Sequence, residues 1–442
     1  MPWPCGPGPA VLAPRGGAHG AGGLGYAAGP RRDTACPMPD ASRPAPSDPG
    51  PPAPPAGTPG EVLRVFTRLG LTSFGGPVAH LGYFHRELVQ RRRWLDEAQY
   101  AQLLALCQFL PGPASSQLGF ALGLLRAGWA GALAAFVAFT LPSVLLLLAF
   151  ALLLPQLQGD MGTAALQGLK ILALAVVAHG LYGMARKLCP DPPRIAIAAL
   201  TAAPLLAGGG ALLQLTLVAA AALAGLWLCR GLALPAQAPL RLPHGPRLGL
   251  GLLGAFFALL LVLPLVPGAA AATLAAVYRA GALVFGGGHV VLPLLEESMV
   301  GPAGLSAETF LAGYGAAQAV PGPLFSIAAY LGALHPALGG VGGALLATLA
   351  IFLPGFLLLA AALPLWGRLA QRPVAAGAVA GVNAAVVGLL GAALYDPVFV
   401  EAVGRGGDLA LAVLAYAALA SGRVPVLLVV AGCVLGRVLL AL

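Results

Sequence analysis

The sequence predicts an all-α polytopic membrane protein made of two inverted-topology repeats, with broken or re-entrant helices and roughly 10–13 transmembrane segments. Three observations carry this expectation. Of 442 residues, 59% are hydrophobic and 9% charged, too little polar surface to cover a soluble globule of that length. Apolar runs such as 133–155 and 248–266 reach the roughly 20 residues that a helix needs to cross about 30 Å of hydrocarbon, while the alternating pattern of an outer-membrane barrel is absent. The chain also resembles itself across its midpoint.

The elements follow in chain order. Residues 1–60 are rich in Pro and Gly, as in "SRPAPSDPGPPAPPAGTPG", and are expected to be a disordered tail; Met38 is an alternative start to Met1. Residues 61–230 form the first repeat, 231–248 a basic linker and 249–442 the second repeat. Arg68, Gly70 and Phe74-Gly75-Gly76 match Arg279, Gly281 and Phe285-Gly286-Gly287. "CQFLPGP" (107–113) matches "AQAVPGP" (317–323), which lays Gln108 over Gln318. "FTLPS" (139–143) matches "IFLPG" (351–355), and 168–182 matches 381–395, which lays Lys170 over Asn383.

Charge sets the orientation. Arg86, Arg91, Arg92 and Arg93 follow the first FGG and assign that loop to the cytoplasm, whereas its counterpart carries Glu296, Glu297 and Glu308 and no Lys or Arg. The next pair of loops reverses, with Arg368 and Arg372 in the second half and no basic residue in the first. The repeats therefore face opposite ways, with the N-terminus cytoplasmic; Arg126 and Arg405 fit this poorly. The chain enters the first FGG segment beside Arg64 and Arg68 and leaves it at the Arg cluster, so that segment turns back rather than crosses. One of the segments 98–125 and 128–154 must also be incomplete, and Leu110-Pro111-Gly112-Pro113 is the natural break.

Several function classes drop out. The +9 net charge comes from Arg scattered beside apolar segments and reads as a topology signal, with no nucleic-acid groove. The six cysteines show no C-x-x-C spacing, so neither a disulfide framework nor a metal site is expected. No phosphate loop or hydrolase pattern occurs, which argues against an ATP-driven pump or an enzyme, and no cofactor is called for. The fifteen acids lie in the tail, in loops or at segment ends, so a cation carrier lacks its buried carboxylate.

Within the apolar segments lie Gln108, Lys170, His179, Gln318, Asn383, Arg68 and Arg279, all neutral or cationic donors suited to an oxyanion. Broken helices add backbone N–H groups and a partial positive charge at membrane depth. Each residue also has a structural alternative. Lys170 can snorkel to the interface, His179 can be a packing residue, Gln108 and Gln318 can join helices, and the FGG glycines can serve close packing.

At these motifs the sequence resembles the chromate ion transporter family, in its long form with two fused homologous domains. The resemblance covers roughly residues 61–442 and rests on "FGGPVAHLGYF" with the basic stretch after it, on "QFLPGP", and on "FGGGHVVLPLLEE" and "QAVPGPLFSIAAYLGA". It implies a plasma-membrane carrier that expels chromate and confers resistance, with sulfate as the related tetrahedral dianion. A sulfate or other inorganic anion importer is the alternative, and a homo-oligomer is left open. By position the family's signatures fall on Phe74, Gly75, Gly76, Pro77 and His80, and on Gln108, Pro111, Gly112, Pro113 and Gln117. In the second half they fall on Phe285, Gly286, Gly287, Gly288, His289, Gln318, Pro321, Gly322 and Pro323. Arg68, Arg279, Lys170 and Asn383 are expected to complete the substrate site.

Overall fold

The computed structural model describes residues 57–441 apart from 75, 157–158, 209–210, 230–239, 241, 286–290, 302–303 and 367–372. The tail expectation up to residue 56, Gly75, Gly286, Gly287, Gly288, His289, Arg368 and Arg372 lie outside the described residues, as does most of the linker. Within them the chain is helical, with one isolated bridge between Val300 and Leu305. Five of the described helices are long and apolar enough to cross a membrane, and six shorter apolar helices of 10–17 residues accompany them.

The first repeat begins with α1 (Pro59–Thr72), started by the Thr58 side chain, which accepts from the Glu61 N–H, and by a proline in its first turn. It stops at Ser73-Phe74 and the chain resumes as α2 (Gly76–Phe84), which passes into a π-helical turn at His85–Arg91. A nine-residue helix rises only about 14 Å, less than half the hydrocarbon thickness. Next, α3 (Glu97–Phe109) starts on a capping box formed by Asp96 and Gln99 and ends at Leu110. After the break comes α4 (Ala114–Leu153), whose helical geometry is interrupted at Ala127 and Gly128. Its first part, 114–126, and its second part, 129–153, fold back on each other where Gly123 meets the Gly131 carbonyl, a contact that leaves no room for a side chain.

Both hairpins return to the face they left. The Trp94 indole N–H donates to Glu61 (3.2 Å), Arg126 pairs with Glu61 (3.0 Å), and the Arg126 guanidinium stacks over Trp94 (5.2 Å). One cluster thus joins the start of α1, the chain beyond α2 and the end of the first part of α4. His85 at 2.7 Å from Glu97 adds the start of α3. The segment 98–125 is the incomplete one, and Arg126 therefore lies with Arg86–Arg93 on the basic face. Its poor fit came from counting that segment as a crossing.

The second part of α4, α5 (Asp160–Leu188), α6 (Pro192–Leu206) and α7 (Ala211–Leu228) then run between the two faces. Next comes α8 (Pro246–Val262), a largely lipid-facing span that packs its start on α13 through Gly249 and the Ala361 carbonyl and has no counterpart in the first half. A repeat boundary at 248/249 falls inside this helix, because the change from basic and proline-rich to apolar composition marks the start of α8 and not of the repeat.

The second repeat copies the first with α9 (Ala269–Leu283), α10 (Val291–Met299), α11 (Ala307–Ala319), α12 (Ile327–Leu334), α13 (Gly340–Ala362), α14 (Pro373–Ala393), α15 (Gly406–Ser421) and α16 (Val426–Leu439). Its α12–α13 corner uses the same glycine crossing, Gly332 on the Gly343 carbonyl. Gly304, in the loop after α10, lies beside His335 at the end of α12, so this pair also turns back on its own face. That face carries Glu296, Glu297, Glu308 and Glu401. Arg405, the other poor fit, shares one carboxylate there with a second arginine: Asp408 lies 3.7 Å from Arg405 and 2.9 Å from Arg437.

Inversion is visible where α4 meets α13. Trp129 and Ala360 share His244, Phe136 meets Phe352 (5.2 Å) and Phe356 (4.9 Å), and Val144 clusters with Ala344. Rising numbers on one helix meet falling numbers on the other, so these equivalent helices are antiparallel. Each also receives the first helix of its own repeat: Gly70 lies against the Ala138 and Phe139 carbonyls and Gly281 against that of Ile351. Pro142, lacking an N–H, leaves the Ala138 carbonyl without its helical donor, and α1 covers it.

A methyl group on Gly281 would overlap the Ile351 carbonyl, and on Gly70 would stand 2.8 Å from the Ala138 carbonyl, both on backbone that cannot move aside. Gly70→Ala and Gly281→Ala are expected to destabilise by roughly 1–3 kcal/mol, with Gly281→Ala the worse. Gly251→Ala on the open face of α8 is expected to be neutral or stabilising. Thermal unfolding of the purified protein in detergent checks all three.

Candidate functional site

The two proline-glycine breaks meet the two FGG breaks of the opposite repeat. The Gly112 N–H donates to the Val284 carbonyl (2.6 Å), and the Gly322 N–H donates to the Ser73 carbonyl (3.0 Å). These are the same bond written twice under the pseudo-twofold. Gly112 (φ +124°) and Gly322 (φ +107°) lie where side chains are strained, and a Cβ on either would stand within 3.0 Å of the opposite repeat, at Gly355 and at Ser143 Oγ. Both glycine amides are thereby consumed in holding the repeats together and are not free for a ligand.

Around this crossing the core is polar. Gln117, fully buried, donates from Nε2 to the Pro111 and Gly355 carbonyls, both at 2.9 Å. Ser143 and Ser326, one from each repeat, share a hydrogen bond of 2.6 Å. His80, fully buried on α2, faces the Ser73 carbonyl (3.2 Å) and Ser115 Oγ (3.5 Å) and packs edge-on against Phe139.

Five buried atoms at or within about a turn of these residues have no hydrogen-bond partner: Ser73 Oγ, Ser116 Oγ, Gln117 Oε1, Thr140 Oγ1 and Gln318 Nε2. Left dry, each costs roughly 1–3 kcal/mol, so such a group calls for a water or a polar ligand to satisfy it. The N–H groups of Ala114, Ser115 and Ser116 precede the first helical bond of α4, Gln117 N–H to the Pro113 carbonyl (2.8 Å). Hydroxyls, a carboxamide and a helix start thus lie on the segments that meet at this crossing, with no carboxylate among them, a set of groups that suits negative charge with neutral donors.

Of the residues singled out from sequence, Gly112, Gln117, His80, Gln318 and Gly322 come together here, flanked by Pro111, Pro113, Pro321 and Pro323 at the breaks and by Phe74 and Phe285 beside them. Gly76 and the Pro77 backbone open α2. The charged candidates do not reach the crossing. Lys170 is buried between Glu308 (3.2 Å) and Glu401 (3.9 Å) of the second repeat, Arg68 is exposed on α1, and Arg279 lines a small pocket with Glu297. Gln108, half-buried, accepts from Lys187 (3.5 Å), and Asn383 Oδ1 is buried without a partner on α14. His179 packs against Tyr416. Sequence reasoning missed Ser73, Ser115, Ser116, Thr140, Ser143 and Ser326. Two signals were available: the Ser115-Ser116 pair one residue beyond Pro113, and the Ser143/Gly355 landmark, which had marked the repeat and nothing more.

On the acidic face Glu296, at the end of α10, borders a cavity of about 330 Å3 with Glu297, Asp396 and Gln214. Burial, and then the charges of Asp396, Glu297 and Glu401, push its carboxyl up to about 7.

The family model described as "Chromate transporter" matches residues 60–226 and 271–437, one match per repeat, leaving α8 between them. The chain is similar to a probable chromate transport protein of Synechococcus elongatus, 30% identical over 76% of this chain and 83% of the relative. It is also similar to the chromate transport proteins of Cupriavidus metallidurans (29%, over 75% and 80%) and Pseudomonas aeruginosa (29%, over 76% and 80%). No solved structure matches the chain.

Because the Glu296 carboxyl titrates higher in the fold than its ordinary 4.5, unfolded chains release this proton first as pH rises. The native state therefore loses stability between about pH 4.5 and pH 7, with the loss complete above. Melting curves from about pH 5 to about pH 8 should show this decline in the wild type and a flatter profile in Glu296→Gln.

Proposed function

This chain belongs to the chromate transporter family, and from that premise we propose that it is a secondary carrier exporting chromate, or a related tetrahedral oxyanion, across the plasma membrane, with the basic face in the cytoplasm. The observation that carries the reading is the buried crossing of the two proline-glycine breaks, whose segments carry unpartnered hydroxyl and carboxamide groups and a helix start.

The dianion is held by the N–H groups of Ala114, Ser115 and Ser116 and by the hydroxyls of Ser73, Ser116 and Thr140, with the Gln318 amide closing the site from the second repeat. Neutral donors suit a carrier, since a fixed cation at the centre would bind a dianion too tightly to release it. Alternating access follows from the inversion: each repeat sends two hairpins in from its own face, and sliding one pair past the other opens the crossing to either side. The two tip-to-tip backbone bonds are the seam along which the repeats part. Export removes the toxic oxyanion from the cytoplasm and so confers resistance.

Purified protein in liposomes, given labelled chromate or labelled sulfate under imposed gradients, tests this. Chromate is expected to move and sulfate to compete. Ser116→Ala and Gln318→Ala are expected to reduce flux about tenfold, the loss of one good hydrogen bond, while remaining monodisperse on gel filtration. A wild-type protein that moves no oxyanion under any gradient ends the reading. Movement of sulfate inward with chromate excluded replaces it with an importer.

A further inference from the structure

Most of the molecule obeys the pseudo-twofold. The two tip-to-tip backbone bonds are equivalent, and so are two crossings on the last helices of the repeats: Gly168 of α5 abuts the Cys433 carbonyl of α16, and Gly381 of α14 abuts the Ala221 carbonyl of α7. Residue 168 thus lies over 381 in space as it does in sequence, which sets Leu169 over Val382 and Lys170 over Asn383.

The re-entrant hairpins break that symmetry. In the second repeat α10 packs on α9 and α14, and α11 packs on α5, where a Cβ on Gly315 would stand 2.2 Å from the Leu169 carbonyl oxygen and 2.9 Å from the Leu169 Cβ. Lys170, 5% exposed, pairs with Glu308 at the start of α11 (3.2 Å) and lies 3.9 Å from Glu401; one turn earlier Gln167 donates to the Ala402 carbonyl (2.7 Å). In the first repeat α2 and α3 pack on α4 and on the π-helical turn between them, and among the described residues no comparable seam joins α3 to α14. The end of α3 meets the basic-face ends of α5 and α13 instead, where Lys187 donates to Gln108 (3.5 Å) and Phe109 packs on Trp366 (5.4 Å). At the place on α14 equivalent to Lys170, the Asn383 Oδ1 is buried with no hydrogen-bond partner.

Sequence explains which hairpin is seated. The seat on α5 offers a glycine at the closest approach and an ion pair above it, whereas the equivalent seat on α14 would face Ala105 in place of Gly315, Ala98 in place of Glu308 and Asn383 in place of Lys170. The second seat is looser and uncharged. Where inverted repeats hold unequal shapes on a symmetric frame, exchanging those shapes yields a second conformation built from contacts that the fold already makes once.

We propose that the two hairpins exchange seats: α3 docks on α14 with Ala105 against Val382 while α11 leaves α5, and Lys170 is a positioning residue that keeps the present seating as the ground state. This deepens the carrier reading given under Proposed function, on which it rests for the cargo, by naming the seams that form and part. Docking carries Gln108 from the end of α5 to the position that Gln318 now holds, so the crossing trades one carboxamide for its equivalent. The side chains of Glu308 and Glu401 are 56% and 36% exposed, so removing the Lys170 charge leaves both carboxylates hydrated and loosens the seat without stranding a buried charge.

Disulfide trapping tests this without a substrate. Two cysteines at the closest approach of the exchanged seam come within reach of the roughly 3.5–4.5 Å between Cβ atoms that a disulfide needs. Ala105→Cys/Val382→Cys is made in the full chain with Cys5 and Cys36 replaced by Ser and Cys107 by Ala, oxidised mildly in liposomes, and the linked peptide is read by mass spectrometry. Ala105→Cys paired with Gly251→Cys on the open face of α8 gives the background rate. The Val382 pair is expected to link well above that background, and several-fold faster again when Lys170→Met or Glu308→Gln is added. Linkage is expected to stop chromate flux until a reductant restores it. Linkage no faster than background in all three proteins overturns the exchange, and linkage at one rate with and without Lys170 overturns the role given to that lysine. The two readings fail separately. Lys170-sensitive linkage in a protein that moves no chromate supports the exchange and counts against the cargo, whereas chromate flux with only background linkage removes the exchange alone.

Discussion

The architecture depends on a backbone that is broken in the middle of an apolar core. A helix interrupted at membrane depth leaves N–H and carbonyl groups without partners, at several kcal/mol apiece in hydrocarbon. Here the two repeats supply each other's missing partners: the glycine of each PGP donates to the carbonyl just before the FGG of the other. Neither repeat could keep its break alone, which gives a physical reason for the fused, inverted pair. The close glycine contacts of α1 on α4 and of α9 on α13 bring the tips into range.

The crossing is symmetric in backbone and asymmetric in chemistry. Where the first repeat places Ser73, His80, Ser115, Gln117 and Thr140, the second places Val284, Val291, Phe325, Ile327 and Phe352. One half thus provides most of the polar lining, and the other provides an apolar wall with Gln318 and Ser326 set into it. An apolar wall lowers the local dielectric, which strengthens each hydrogen bond the polar side makes to an anion.

Much of this was legible in the sequence because its carriers are local. A glycine between two prolines cannot stay helical, unlike the single prolines at 142 and 354 that helices absorb, so Leu110–Pro113 and its partner at 320–323 declared themselves, and arginine excess marks a face regardless of packing. The incomplete segment could be inferred by parity, and the structure then moved Arg126 to the right side. The rest depended on distances that no local pattern encodes. Lys170 read as a free charge because Glu308 and Glu401 lie far along the chain, in the opposite repeat. Ser73, Ser116 and Thr140 were invisible because a small hydroxyl residue in an apolar run looks the same whether its oxygen bonds the preceding turn, as that of Thr348 does, or is left without a partner.

The solitary α8 has a consequence for how such a protein can be put together. Each repeat begins and ends on its own side of the bilayer, so two copies joined by a soluble loop would insert the same way up, and their tips could not exchange hydrogen bonds. A single extra span turns the second copy over. Were the gene divided at this helix into two polypeptides, the halves could reassemble as a heterodimer only if the second retained α8 or reversed its own insertion polarity through its flanking arginines.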